Sequence, residues 1–256
     1  MEGRNWCLLA WIASLYAFGL LFFCRGFLLN RHALLLKSSC ADVLHPQPFP
    51  REEGAETGCW VPARFRRAVL VIVDALRYDF AAARHPKGQR LNAHFHGRLG
   101  SVKEMLQKQP KHSLLYHFIA DPPTTTLQRL KGLTTGSLPT FIDAGSNFAG
   151  SEIEEDNLLY QLTSRNKSIV MLGDDTWLAC YPNSFLRSHP FPSFDVKDLH
   201  TVDNGILANI WDELRQDDWT LMVAHFLGVD HCGHKFGPNH PAMGQKLDQM
   251  DQFIRN

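Results

Sequence analysis

The sequence predicts an α/β fold, a mostly parallel sheet with helices on both faces, preceded by one N-terminal transmembrane helix. Three observations predict it. Residues 6–24 contain no charged side chain. Further along, strand-like apolar runs alternate with segments of helical spacing, which is typical of parallel sheets covered by helices. Two of these runs lead into acidic residues, at the strand ends where open α/β sheets bind their ligands.

Residues 6–24 have about the 20-residue length that a bilayer span needs. A cleaved signal peptide is the main alternative, but the run is long for one and no Ala-x-Ala-like site follows. Arg25, Arg31 and Lys37 follow the span and Arg4 precedes it. The positive-inside tendency alone would therefore place the rest of the chain in the cytosol.

The apolar run 68–73 leads without a polar residue into Asp74 and predicts a parallel strand buried on both faces. Asp74 either contributes to a site at the strand end or caps a helix that begins at Ala75. Further strands are predicted at residues 114–119, 169–172 and 221–227. Two apolar stripes of helical spacing predict helices, and they comprise Val202, Ile206, Leu207, Ile210 and Leu214, then Met243, Leu247, Met250 and Ile254.

Asp230 and His234 stand four residues apart, directly after the 221–227 run. A carboxylate oxygen and an imidazole nitrogen suit zinc, and a turn after a strand can aim both at one point. The spacing alone is a weak signal, and ordinary loop chemistry is the alternative. Its position at a predicted strand end favours two ligands of a catalytic metal.

A proline-stiffened turn at residues 121–123 precedes three threonines and a helix-like pattern that Gly136 closes. A threonine hydroxyl at a helix N-terminus either caps the helix or acts as a nucleophile. As a nucleophile it needs activation, which a metal ion supplies, and the helix N-terminus favours an arriving phosphate.

Residues 73–80, 122–147, 173–177 and 224–237 together resemble the alkaline phosphatase-like metalloenzymes, and among them the GPI ethanolamine phosphate transferases. The likeness is to the type 3 branch, which acts on the third mannose. It covers nearly the whole chain, the predicted transmembrane helix included.

The resemblance implies two zinc ions. Asp74 and the nucleophile Thr126 would hold one, and Asp230 and His234 would belong to the other. Thr126 is chosen because related phosphodiesterases place the nucleophile ten residues before the closing glycine, with Thr125 as the fallback. The family also uses an Asp-His pair and a further histidine downstream, which this chain lacks. We therefore expect incomplete ligation of both metals and a fragment or short isoform.

The implied reaction transfers phosphoethanolamine from phosphatidylethanolamine to a mannose of the GPI precursor glycolipid, in the endoplasmic reticulum membrane with the catalytic domain in the lumen. The resemblance overrides the positive-inside tendency here. A possible Cys40–Cys59 disulfide and the sequon at Asn166 fit an oxidising compartment. The family also implies a small membrane partner subunit. The formal net charge of zero offers no basic surface for nucleic acid.

The predicted domains are an anchor at 1–29, a lumenal stem at 30–66 and an incomplete alkaline phosphatase-like catalytic domain at 67–256. Two alternatives remain, a zinc-dependent phosphodiesterase or nucleotide pyrophosphatase, and a catalytically inactive truncated isoform.

Several polar residues near the predicted strand ends receive only structural roles from the sequence. Asp174 and Asp175 are expected in a turn or cap, and His225, His231 and His240 are expected in contacts around a metal or within loops rather than as metal ligands. Cys180 and Cys232 are expected to be small core residues.

Overall fold

The computed structural model describes residues 2–26, 34–40, 42, 64–82, 91–122, 124–138 and 152–256. In chain order the described elements are α1 (Glu2–Gly26), β1 (Ala68–Val73), α2 (Tyr78–Ala81), α3 (Gly100–Lys108), α4 (Thr126–Thr135), α5 (Leu158–Thr163), β2 (Ile169–Asp174), α6 (Thr176–Cys180), β3 (Arg187–Phe191), α7 (Thr201–Arg215), β4 (Leu221–Phe226), α8 (Gly228–Phe236) and α9 (Pro241–Arg255).

The chain forms two compact units. One comprises Met1–Lys37 and Ala120–Asn157 and contains α1 and α4. The other comprises Ser38–Ile119 and Leu158–Asn256 and contains the sheet. The predicted boundaries at residues 29 and 66 remain predictions.

Helix α1 contains the stretch Asn5–Gly26, which is long and apolar enough to cross a membrane by length and composition. None of that stretch is buried in the structure. This helix is the one predicted from the uncharged run.

Four parallel strands form the sheet of the described residues, in the order β1-β4-β2-β3. The predicted strands at 68–73, 169–172 and 221–227 are confirmed as β1, β2 and β4. Every residue of β2 and β4 is buried, so both faces of these central strands are covered. The parallel α/β class is therefore confirmed.

Two strand predictions need correction. Residues 114–119 carry no regular secondary structure, because no strand in the described part of the chain lies beside them to complete their backbone hydrogen bonds. Strand β1 lies at an edge of the described sheet, and Val69 and Val71 are 45% and 38% exposed. Its apolar run is thus not buried on both faces.

Strand β3 was not predicted. It contains Arg187, His189 and Pro190 and has an alternating burial pattern. A proline fits this strand because β3 lies at the edge of the described sheet, where one side of its backbone has no ladder to complete.

Helix α7 contacts β2, β3 and β4 and carries the first predicted apolar stripe. Val202, Ile206 and Ile210 are buried among the strands' side chains, and Leu207 and Leu214 are partly buried against them. Each buried aliphatic side chain contributes about 1.5–3 kcal/mol through removal from water. The second stripe is confirmed as α9, of which Met243, Leu247 and Met250 are buried.

The two features expected of an oxidising compartment lie in the unit with the sheet. Cys40 is disulfide-bonded, while Cys59 falls outside the described residues. Asn166 is exposed and adopts a left-handed conformation with φ 55° after α5. The neighbouring Lys167 N–H bonds back to the Leu162 carbonyl at 3.0 Å, which ends the helix. Glycosylation at Asn166 remains a prediction.

Candidate active site

Polar side chains gather where three neighbouring strands end. Asp74 follows β1, Asp174 is the last residue of β2, and Asp230 lies in α8 directly after β4. Because β4 pairs in parallel with both β1 and β2, these three ends lie at one edge of the sheet. This is the edge at which open α/β sheets bind ligands.

Asp74 is held at the end of β1 by its own backbone and by the turn that follows. Its N–H donates to the Phe226 carbonyl at 3.0 Å, and its Oδ1 accepts from the Ala75 N–H at 2.8 Å. Ala75 has φ 55°, so no helix begins there, and α2 begins only at Tyr78. The helix-cap interpretation of Asp74 is therefore wrong.

Asp230 and His234 lie on helix α8 rather than on the turn that the sequence indicated. Residues four apart face the same side of a helix, and here His234 Nε2 is 3.5 Å from Asp230 Oδ2. Asp230 is 21% exposed and His234 62% exposed at the side chain. The helix thus presents a half-buried carboxylate beside a solvent-accessible imidazole.

The electrostatic surroundings of Asp230 favour a bound cation. Burial raises the pKa of Asp230, and the nearby Asp74 carboxylate raises it further. His234, His231 and His225 act in the opposite direction on that pKa. Two carboxylates that repel each other in a partly buried place are stabilised by divalent cations bound at them.

His225 is the residue of this edge to which the sequence assigned only a supporting contact. Its side chain is 1% exposed, with Nε2 3.7 Å from Asp74 Oδ2 and Nδ1 3.4 Å from Asp174 Oδ2. The indole N–H of Trp177 donates to Nδ1 at 3.1 Å. The sequence could not show this, because the three partners belong to three different elements.

A buried ion pair holds the start of α8. Asp203 Oδ1 on α7 accepts from the N–H groups of Leu227 and Gly228, each at 3.0 Å. Its Oδ2 lies 2.7 Å from Lys246 Nζ, and the two side chains are 1% and 2% exposed. A Cβ on Gly228 would lie 2.0 Å from Lys246 Cε, so a larger residue here would displace the Lys246 side chain from the ion pair.

The other candidates at this edge have structural roles. His231 Nδ1 lies 2.6 Å from the Asp198 carbonyl and Nε2 3.2 Å from the Ser193 carbonyl, so the ring ties two loop segments together. Cys232 is buried with a free thiol, and burial raises the pKa of that thiol. A raised pKa disfavours the thiolate that binds metals, which agrees with the predicted core role.

His240 and the Asp174–Asp175 pair also match their expected structural roles. His240 caps α9, since its Nδ1 accepts from the Ala242 N–H at 3.2 Å. Asp174 Oδ1 accepts from the Thr176 N–H at 2.8 Å, and Asp175 accepts from the Ser193 hydroxyl at 2.6 Å. Asp174 has the additional contact with His225 described above.

Thr126 belongs to the other unit and is the first residue of α4. Thr125 precedes the helix in an extended conformation, and its hydroxyl donates to the side chain of Gln128. Gly136 ends the helix in a left-handed conformation with φ 70°. The predicted helix closed by glycine is confirmed, and Thr126 stands at its N-terminus.

Among the described residues, no cluster of three or more His, Cys, Asp or Glu side chains has an arrangement that could hold a metal ion. Asp74 and Asp230 follow the ends of two paired strands, and His234 lies beside Asp230. These oxygen and nitrogen donors fit a divalent cation chemically.

Comparison with known proteins gives a consistent result. Residues 106–256 match the family described as type I phosphodiesterase / nucleotide pyrophosphatase. The chain is 52% identical over 96% of its length to the mouse protein named "GPI ethanolamine phosphate transferase 3, catalytic subunit", and 51% identical to the human protein of that name. It is 48% identical to GPI ethanolamine phosphate transferase 3 of Saccharomyces cerevisiae. The chain spans 23% of the length of each of these three relatives. No solved structure matches.

Proposed function

Because this chain belongs to the type I phosphodiesterase / nucleotide pyrophosphatase family, we propose that it carries part of the active site of a phosphoethanolamine transferase. The donor is phosphatidylethanolamine, and the acceptor is the third mannose of the GPI precursor. The names of the relatives support the choice of transfer over other reactions of the family.

The observation that carries the proposal is the pairing of two strand ends. Asp74 at the end of β1 acts electrostatically on Asp230, which shares one face of α8 with His234. The family is one whose members typically use metal ions. Asp74, Thr126, Asp230 and His234 are the residues that would hold zinc, with two ions expected.

When bound, zinc lowers the pKa of a coordinated hydroxyl and neutralises charge on the phosphoryl oxygens. The Thr126 Oγ1 forms a bond to phosphorus, and the bond from phosphorus to the glycerol oxygen breaks, so that diacylglycerol leaves with the proton. A mannose hydroxyl then attacks the same phosphorus, the bond from phosphorus to Thr126 Oγ1 breaks, and the proton of the mannose hydroxyl restores the Thr126 hydroxyl. The N-terminus of α4 directs backbone N–H groups toward the phosphate during both steps.

The membrane helix fits a lipid donor and a lipid-linked acceptor. α1 is long and apolar enough to span a bilayer. We assign the enzyme to the endoplasmic reticulum membrane with its catalytic unit in the lumen, working with a small membrane partner subunit.

The test is Thr126→Ala in the protein that carries this chain, expressed in membranes with ethanolamine-labelled phosphatidylethanolamine. Loss of the attacking hydroxyl should reduce transfer to GPI mannosides by roughly a thousandfold or more. Thr135→Ala is the matched control, because it removes a threonine hydroxyl at the other end of the same helix, where that hydroxyl donates to the Lys131 carbonyl at 2.7 Å and accepts from the Ser137 N–H at 3.2 Å.

Normal transfer by Thr126→Ala would contradict the assignment. Loss of transfer in Thr125→Ala alone would move the nucleophile to the fallback position. A phosphodiesterase with the same residues would pass the intermediate to water. It would therefore release free phosphoethanolamine and leave the glycan unmodified.

A further inference from the structure

The segment Gly173–Trp177 is built around His225, although neither the proposed ligand set nor the reaction uses it. Gly173 has φ 119°, and a Cβ there would lie 2.2 Å from the His225 carbonyl oxygen. Only glycine therefore lets the end of β2 approach β4 this closely. The close approach brings Asp174 and Trp177 to the ring of His225.

The contact with Trp177 determines which nitrogen of His225 carries hydrogen. An indole N–H can only donate, so Nδ1, at 3.1 Å from it, must accept. A neutral imidazole that accepts at Nδ1 has its hydrogen on Nε2. Both side chains are buried, at 0% for the whole Trp177 residue and 1% for the His225 side chain, so water does not compete for this contact.

The Nε2 atom of His225 faces a proposed metal ligand. It is buried and has no hydrogen-bond partner among the described residues. The Asp74 Oδ2 atom lies 3.7 Å from it, while Asp74 Oδ1 accepts from the Ala75 N–H. The Asp74 carboxylate thus lies just beyond hydrogen-bond distance of this buried nitrogen.

We propose that Trp177 and His225 are positioning residues that orient the Asp74 carboxylate for a divalent cation. Trp177 sets the tautomer, and His225 presents Nε2–H to Asp74. This inference rests on the proposed function, because it takes Asp74 as a metal ligand. Partners behind metal ligands typically contribute 10- to 100-fold to metal affinity.

Asp174 would favour the other tautomer of His225, which has its hydrogen on Nδ1. Its Oδ2 lies 3.4 Å from Nδ1, and it would accept a hydrogen bond from that nitrogen in the other tautomer. In that tautomer, however, the ring N–H would point at the indole N–H of Trp177. The shorter contact of 3.1 Å with a group that only donates favours the Nε2–H form.

The first experiment determines the tautomer in the metal-free chain, without any substitution. The chain is labelled with ¹⁵N-histidine, treated with EDTA in detergent and measured by long-range ¹H–¹⁵N NMR. His225→Gln identifies the signal among the 13 histidines. Hydrogen on Nε2 supports the proposal. Hydrogen on Nδ1 overturns it.

The second experiment measures zinc affinity in Trp177→Phe, which keeps an aromatic ring and removes the N–H. The matched control is Trp219→Phe, because Trp219 is also buried and donates its indole N–H to the Glu213 carbonyl at 2.9 Å. We expect zinc affinity to fall about 10- to 100-fold in Trp177→Phe and to stay unchanged in Trp219→Phe. Equal affinities in the two variants overturn the proposal.

Variants of Asp74 and His225 separate failure of this inference from failure of the proposed function. Asp74→Asn should abolish binding of the zinc ion that Asp74 holds, and unchanged affinity there would remove Asp74 from the ligand set whatever the tautomer. His225→Gln retains an N–H donor near the position of Nε2, whereas His225→Leu does not. Higher zinc affinity in the Gln variant supports the proposal, and equal affinity overturns it.

Discussion

Lys246→Met removes the positive charge that faces the buried carboxylate of Asp203. The two groups are 2.7 Å apart, at 2% and 1% exposure, so the remaining charge would have no access to water. Removing one partner of a buried pair costs about 3–5 kcal/mol. Asp203 retains two backbone N–H donors, which places the expected loss near the lower end, at about 3 kcal/mol.

The loss of stability should be largest at α8, because Asp203 binds the N–H groups of Leu227 and Gly228. Hydrogen exchange followed by mass spectrometry measures the local stability of α8 in peptides that cover residues 227–236. A loss of about 3 kcal/mol corresponds to roughly a hundredfold faster exchange. Zinc affinity should fall together with it, because Asp230 and His234 lie on the same helix.

The matched control is Asp248→Asn, which breaks an ion pair of α9 with Arg98 at 2.6 Å. Both members of that pair are exposed, at 36% and 51%, so the expected cost is below about 1 kcal/mol. Equal costs for Lys246→Met and Asp248→Asn would refute the reasoning. The double variant Asp203→Asn with Lys246→Met should recover most of the loss, since no unpaired charge then remains buried.

Three further predictions follow from single groups. Gly173→Ala should cost at least about 3 kcal/mol, because its backbone has φ 119° and the new Cβ would lie 2.2 Å from a carbonyl oxygen of β4; a shift of the melting temperature no larger than that of a surface variant would contradict this. Hydrogen bonds from Thr201 and neighbouring backbone N–H groups lower the pKa of Asp198 to about 2 from 3.8. Its stabilising contribution is thus complete above pH 3.8 and is lost as the pH falls to about 2. Asp198→Asn should cost about 1 kcal/mol at pH 6 and nearly nothing at pH 2 in denaturant titrations, and a pH-independent cost would exclude this cause. Because burial raises the pKa of Asp230, its charged form destabilises the metal-free fold above that pKa. Asp230→Asn should therefore melt at a higher temperature than the parent chain at pH 7 in EDTA while binding zinc more weakly, and a lower melting temperature would contradict it.

The sheet could be predicted where the apolar run is short and continuous. The strands β1, β2 and β4 satisfy that pattern, and so do the helical stripes that became α7 and α9. An apolar run indicates that a segment can be buried. It does not indicate whether a neighbouring strand is present to pair with it. For that reason residues 114–119, which are largely apolar apart from His117, do not form a strand in the described structure.

Strand β3 is the opposite case, a strand that the sequence did not predict. Its charged, imidazole and proline residues carry no strand signal, but parallel pairing with β2 supplies the backbone hydrogen bonds. Arg187 is stabilised there by Glu213, at 2.7 Å, and by Asp218, at 2.6 Å. These partners lie on α7 and in the loop before β4, so tertiary contacts override the local preference.

The residues of the candidate site also fall into two groups, those that the sequence predicts and those that depend on tertiary contacts. Asp230 and His234 could be paired from the sequence because they stand four positions apart in one element. Asp74 could be recognised because it directly follows an apolar run. The residues that hold these side chains in place could not be predicted from the sequence. Asp203 and Lys246 meet across two helices, and Trp177 meets His225 across a helix and a strand. Chemistry-bearing residues are thus recognisable by local spacing, whereas the groups that orient them depend on strand order and helix packing. Substitutions in the second set therefore provide the stricter test of the structure, because the sequence alone gives no reason to expect that Trp177→Phe or Lys246→Met would weaken a metal site.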